Sequence, residues 1–260
     1  MTWHVGLCSV GSEFRNLPSK DLDDACAQLF VRQRGVLGYG QAIDIGMSKH
    51  MIRNRLNAGR WERILPRTYR LVGVPGSFEQ HVIAATLWSD GVGSHETAAA
   101  VWGLDAARRM RIEITVDGGP SGTPVDWITL HRTNRALELD RTLRQGIPVT
   151  KIPRTLIELG ASVPRWRLQA GLDHALRDGF TTPHQLFVEL ARLVGQAGVV
   201  LGGSAGFLKI PISGYPRRQA SWSVESWAAY GAAFQTRSAN SPSSMSTVRL
   251  VSSTLRGPIA

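Results

Sequence analysis

Residues 46–70, GMSKHMIRNRLNAGRWERILPRTYR, decide the reading of this chain. Ser48 suits the cap of a short helix and Gly59 suits its stop. Between them, Met51, Ile52 and Leu56 recur at helical spacing and are expected to face inward. Lys49, His50, Arg53, Asn54 and Asn57 then share the outer face, which no acidic residue interrupts. Beyond Gly59, residues 60–72 fit two short strands with a turn near Pro66. Trp61, Ile64, Tyr69 and Leu71 can pack on the helices, leaving Arg63, Arg67 and Arg70 for solvent or phosphate. A basic helix followed by a basic hairpin is how winged helix-turn-helix modules present charge to duplex DNA. The helix fits a major groove, where lysine and arginine serve guanine edges and asparagine pairs with adenine, and the wing follows phosphates. The plain alternative for any one of these residues is the solvated polar face of an amphipathic helix.

Charge supports the first reading. The 260 residues carry a formal net charge of +10 and a pI of about 10.5. A fold does not need such an excess, and it favours a polyanionic partner. A diffuse arginine bias from a GC-rich genome would give the same total. The excess is concentrated, however. Between Gln41 and Pro75 stand seven basic residues (Lys49, Arg53, Arg55, Arg60, Arg63, Arg67 and Arg70) against Asp44 and Glu62.

Working outward, Asp21–Arg34 reads as a helix with Leu22, Cys26, Leu29 and Phe30 on one face, capped by Ser19 or Asp21 and ended by Gly35. Val36 and Leu37 allow a short extended piece, and Tyr39–Ile45 forms a second helix stopped by Gly46. Downstream, Ser77–Trp88 and Ser94–Trp102 read as helices capped by their serines. Thr97 stands where a reciprocal capping box would need Glu or Gln, while Glu96 suits the first turn. Met110–Val116 and Trp127–Arg132 alternate like strands. GIPVT at 146–150 is strand-like, and Pro153–Leu159, Pro164–Arg177 and Pro183–Val194 are helical, with Pro164 and Pro183 suiting first-turn positions.

In this order the pieces resemble the AbiEi-type antitoxins of actinobacteria, winged helix-turn-helix proteins of type IV toxin–antitoxin systems. The stretch GQAIDIGMSKHMIRNRLNAGRWERILPRTYRLVG is similar to the winged module, and SHETAAAVWGL to the helix that follows it. ITLHRT, GIPVTKIPRTLIELG and LDHALRDGFTTPHQL are similar to the middle domain. The likeness covers about residues 21–194. It implies an N-terminal domain that represses its own promoter and a second domain that counteracts a nucleotidyltransferase-like toxin. Carried onto this chain, the DNA-facing residues are Ser48, Lys49, His50, Arg53, Asn54, Arg63 and Arg67. His95 and Thr150–Arg154 are family-like positions of the middle part, and buried caps and helix starts account for them without any chemistry.

Longer relatives of that family continue into a very-short-patch-repair-like endonuclease domain of the PD-(D/E)xK type, which needs clustered carboxylates to hold Mg²⁺. Here Glu225 is the only acid in residues 196–260, so such a site cannot be built there. A reading frame moved back by one nucleotide permits Val251–Ile259 to encode Leu-Val-Asp-Phe-Ala-Trp-Pro-Asp, like that domain's acidic strand. The tail then reads as an out-of-frame nuclease remnant.

The expected architecture is α+β. It comprises a flexible extension at 1–20, a winged helix-turn-helix domain at 21–75, an antitoxin-like α/β domain at 76–195 and a disordered tail at 196–260. The function expected is that of a non-enzymatic DNA-binding regulator. The alternatives are an inactive truncated endonuclease relative and a toxin-binding module that no longer touches DNA. No cofactor is expected. His4, His50, His81, His95, His131, His174 and His184 form no HxxxH or HExxH pair, which argues against a metal site. Two cysteines, Cys8 and Cys26, without a CxxC fit a reducing cytoplasm. No apolar run reaches membrane-spanning length, and the first twenty residues lack the regions of a signal peptide.

Overall fold

The computed structural model describes residues 19–195, except residue 106 and residues 119–124, 134–136 and 138–139. The expectations for an N-terminal extension and a C-terminal tail lie outside the described residues, apart from Ser19 and Lys20.

Helix α1 (Ser19–Arg32) starts ahead of the expected Asp21, which therefore sits in the first turn. It stops before Arg34, whose left-handed backbone (φ 54°) together with Gly35 (φ 85°) turns the chain into strand β1 (Val36–Gly38). Helix α2 (Tyr39–Ile45) ends at left-handed Gly46 (φ 114°), and helix α3 (Lys49–Asn57) follows after Ser48. Strands β2 (Trp61–Leu65) and β3 (Thr68–Leu71) then form a hairpin. β3 lies between β1 and β2 in an antiparallel three-stranded sheet, with Leu37 opposite Tyr69 and Glu62 opposite Arg70. Leu22, Cys26, Leu29, Phe30, Ile45, Ile52, Trp61 and Tyr69 are buried together beneath this sheet. Phe30 meets Trp61 edge-on at 5.1 Å. A buried amide pair joins the turn after α1 to α2: Gln33 and Gln41 each donate to the other's Oε1, at 3.0 and 2.7 Å.

Helix α4 (Phe78–Ser89) is capped by Ser77, whose Oγ accepts the Gln80 N–H at 3.1 Å. It is apolar nearly all round, as a helix enclosed on several sides must be. Val82, Ile83, Ala84 and Ala85 are all buried, and the helix packs on both β1–β3 and the second sheet.

That second sheet holds β4 (Val92–Gly93), β5 (Ile112–Asp117), β6 (Ile128–Thr133), β7 (Arg141–Arg144) and β8 (Ile147–Thr150) in the order β6-β5-β4-β8-β7. β5–β6 and β4–β8 are parallel, while β4–β5 and β7–β8 are antiparallel. The two-residue β4 and the polar β7 escape sequence reading because neither shows a period. Helix α5 (His95–Trp102) lies between β4 and β5 in sequence, and α6 (Ile152–Ser162), α7 (Arg165–Arg177) and α8 (Pro183–Gly195) follow the sheet. Pro164 is the cap residue of α7 rather than a member of its first turn. The Ser94 side chain gives α5 no cap hydrogen bond, contrary to expectation; its Oγ lies 3.0 Å from His95 Nδ1 instead.

One buried cluster runs from Val36 and Leu65 through α4 to Ile112, Ile114, Val116, Ile147 and Val149. The chain is thus a mixed α and β protein with two sheets sharing one intervening helix.

Candidate nucleic-acid interface and a buried histidine cluster

Ser48 adopts extended backbone, and its Oγ accepts the Met51 N–H at 3.2 Å. α3 therefore begins as the sequence suggests, with no acid in its first turn. Ile52 is buried and Met51 and Leu56 are partly buried. Ser48, Lys49, His50, Arg53, Asn54 and Asn57 are exposed. His50 Nε2 and Asn54 Nδ2 lie 3.4 Å apart, one turn from each other.

The hairpin places Arg63 and Arg67 in solvent. A register irregularity between Arg63 and Leu65 bends β2. Arg67 occupies the turn with left-handed backbone (φ 59°), and its guanidinium carbon lies 4.9 Å from the centre of the Tyr39 ring. Both arginines act on Tyr69. Burial raises the Tyr69 phenol above its ordinary range, Arg63 and Arg67 oppose that rise, and Tyr39 adds to it.

Two of the seven basic residues do not belong to this surface. Arg55 is buried and donates through Nε and Nη2 to Asp23 Oδ1 at 2.8 and 2.5 Å, and through Nη1 to the Met51 carbonyl at 2.9 Å. Arg70 pairs with Glu62 across the hairpin at 2.5 Å rather than remaining for solvent or phosphate. Lys49, Arg53, Arg60, Arg63 and Arg67 are exposed and form no ion pair with another described residue. Asp44, on α2, is the acid that stays exposed in this segment.

A second constellation forms where sequence spacing gave no warning. On β5, Ile112, Ile114 and Val116 point into the shared core, so Glu113 and Thr115 occupy the opposite face. The parallel register sets Thr115 opposite His131 of β6, and Glu113 reaches diagonally to His131, with Oε1 3.2 Å from Nε2. α5 covers this face. The Glu96 N–H donates to Glu113 Oε2 at 2.9 Å, and the Glu113 N–H donates to Thr97 Oγ1 at 2.7 Å. His95, the first residue of α5, is 2% exposed and held in left-handed backbone (φ 50°). Its ring stacks on His131 with centroids 3.8 Å apart and planes 27° from parallel.

Charged groups brace the cluster from behind. Glu158 of α6 accepts the His95 N–H at 3.3 Å and the Arg154 Nε–H at 2.7 Å. Arg154 also reaches Asp140 at 3.2 Å, and Asp140 in turn pairs with Arg192. Arg167 grips Glu96 with both terminal nitrogens, at 3.1 and 2.7 Å. Burial drives the His95 pKa well down, and neighbouring His131 and Arg154 add to this against the pull of Glu113. Burial alone would raise the Glu113 carboxyl. The hydrogen bond from His131, the nearby His95 and the Glu96 N–H outweigh it and keep the group below its ordinary value.

The spacing of histidines along the sequence did not reveal that three potential donors meet here. The donor atoms of His95, Glu113 and His131 all lie within 4.8 Å of one another. The contacts arise from sheet register, which no local motif encodes. The available signal was weaker: polar Glu113, Thr115, Thr129 and His131 alternate with apolar neighbours on two strands. Thr150–Arg154 does behave as a helix start. Thr155 Oγ1 donates to the Thr150 or Lys151 carbonyl, at 3.1 and 3.0 Å, and lies 2.7 Å from Thr150 Oγ1.

No protein-family model matches the chain, and no curated protein is significantly similar to it. None of the helices among the described residues is long and apolar enough to cross a membrane.

Proposed function

We propose that this chain binds duplex DNA through α3 and the β2–β3 hairpin, as a winged helix-turn-helix regulator. The order of helices and strands up to β3, with the hairpin following the third helix, supports that reading. The observation that carries it is the exposure of Lys49, Arg53, Arg60, Arg63 and Arg67 without carboxylate partners among the described residues. In this reading Lys49, His50, Arg53 and Asn54 meet groove edges or phosphates, Ser48 sets the start of the helix, and Arg63 and Arg67 follow the backbone. Repression of its own promoter and counteraction of a nucleotidyltransferase-like toxin complete the proposal; they rest on the family resemblance, while a cytoplasmic location rests on the cysteine usage. The reading as an inactive endonuclease relative concerns residues 196–260, outside the described residues.

The test is fluorescence anisotropy on the DNA upstream of the gene, over a salt series. Binding should weaken as salt rises, with a log–log slope of about −0.9 for each phosphate neutralised. Arg53→Ala and Arg63→Ala should each weaken binding, and a residue that contacts only phosphate should flatten the slope by about one unit. Unchanged affinity in the double variant would remove the interface.

A further inference from the structure

We propose that His95, Glu113 and His131 form a binding site for one divalent transition-metal ion of the zinc class. The donors are two imidazole nitrogens and one carboxylate oxygen, a set that suits zinc with one coordination position left open. They lie within 4.8 Å of one another and come from three different elements, α5, β5 and β6. Around a tetrahedral ion, donors at ~2.1 Å would stand about 3.4 Å apart, so a small contraction suffices. The stacked rings do require one adjustment. His131 must turn out of the stack so that its lone pair meets that of His95. Its side chain is 14% exposed, so the rotation starts from a partly solvent-facing position. The hydrogen bond it shares with Glu113 is then exchanged for coordination by both residues.

The surroundings are those of a ligand set. His95 Nδ1 faces Ser94 Oγ at 3.0 Å and Glu158 Oε2 at 3.8 Å, so an N–H there leaves Nε2 as the electron-pair donor. Glu113 Oε2 is fixed by the Glu96 N–H, leaving Oε1 for the ion. The nearby cations are each paired with carboxylates, Arg154 with Glu158 and Asp140 and Arg167 with Glu96, which offsets much of their charge. His95 is held in left-handed backbone (φ 50°), which a non-glycine residue adopts only under strain, as occurs where a side chain must be aimed. Glu113 and His131 both reach the surface, at 16% and 14% exposure, which gives an ion a way in.

The experiment uses the untagged full chain, loaded with Zn²⁺ and passed through gel filtration, with metal content read by mass spectrometry. One ion per chain should be retained. Glu113→Gln and His131→Gln should each lower affinity by at least ~10-fold. His174→Ala, a histidine outside the cluster, should leave it unchanged. Because a variant can lose its fold, Zn²⁺ is also titrated into the unaltered chain labelled with ¹⁵N. The ring nitrogens of His95 and His131 should shift together at one equivalent. No ion retained, retention undiminished in both variants, or ring shifts confined to other histidines would each overturn the site. The outcome is independent of DNA binding, which is read at α3.

Discussion

Arg53 and Arg55 are two positions apart on one helix, and their surroundings give them opposite roles. Arg53 ends in water; Arg55 ends on Asp23, on the Met51 carbonyl and 5.8 Å from the centre of the Trp61 ring. Arg55→Ala should therefore cost about 2 kcal/mol of stability, since it removes both guanidinium donors to Asp23 and the side-chain hydrogen bond to the Met51 carbonyl, which keeps only its helix partner. Asp23 keeps 48% of its side chain in solvent, which limits the loss. Arg53→Ala should leave the melting temperature unchanged while weakening the proposed DNA binding. Equal stability effects from the two changes would contradict this division. Cys26 behaves like Arg55 as an interior group. Burial pushes its thiol up to about 12, with Arg55 opposing and Asp23 reinforcing. The unfolded thiol ionises near 9.0, so the folded chain binds the extra proton between those values. The stabilisation from keeping Cys26 protonated is complete below pH 9 and is lost as pH rises towards 12. In a Cys8→Ser background, a thiol reagent at pH 8 should find Cys26 unreactive until denaturant is added. Rapid labelling of the native chain would show the thiol to be accessible.

At the scale of elements, close packing explains a glycine that sequence reading passed over. A Cβ on Gly91 would stand 2.6 Å from Ile114 Cγ2 and 2.7 Å from the Thr115 carbonyl oxygen, and the latter is backbone that cannot swing aside. Gly91→Ala should destabilise the chain by about 1–3 kcal/mol through displacement of β4 from β5. A melting temperature equal to that of the unchanged protein would refute the contact. The same element shows what could and could not be read in advance. α2, α3, the hairpin and α4 lie where their caps and periods put them, because Ser48, Ser77, Gly46 and the apolar spacing act within a few residues, and α5 lies where it was expected without its Ser94 cap bond. β4 and β7 form only because a neighbouring strand offers a ladder, and two or four residues carry no period of their own. For the candidate interface, the outward positions of α3 were legible, whereas the loss of Arg55 and Arg70 to Asp23 and Glu62 depends on packing across the sheet and on α1. Of the His95–Glu113–His131 cluster only the polar alternation on two strands was legible, since the contacts depend on the β5–β6 register and on α5 lying across it.

At the scale of the molecule, α4 sets how the two sheets respond to each other. Ile83 is 1% exposed, in the cluster that includes Val36 and Leu65 on one side and Ile114 and Val149 on the other. Gln80, on the same helix, donates to the Arg34 carbonyl at 2.8 Å and so holds the turn that precedes β1. A cavity at Ile83 removes contacts from both sheets at once, because the core on either side is continuous with it. Ile83→Ala should cost about 2–5 kcal/mol. Hydrogen exchange locates that loss. If the shared core couples the sheets, the amides of Leu37 and Tyr69 should speed up together with those of Ile114 and Val149, in one cooperative opening. Acceleration confined to the five-stranded sheet would mean that the three-stranded sheet keeps its own stability. In that case α3 and the hairpin could hold their basic side chains in place while the remainder of the chain opens. Coupled exchange, by contrast, makes the proposed DNA-facing surface dependent on a helix that lies outside it, so Ile83→Ala would also weaken the proposed DNA binding as temperature approaches the lowered melting point.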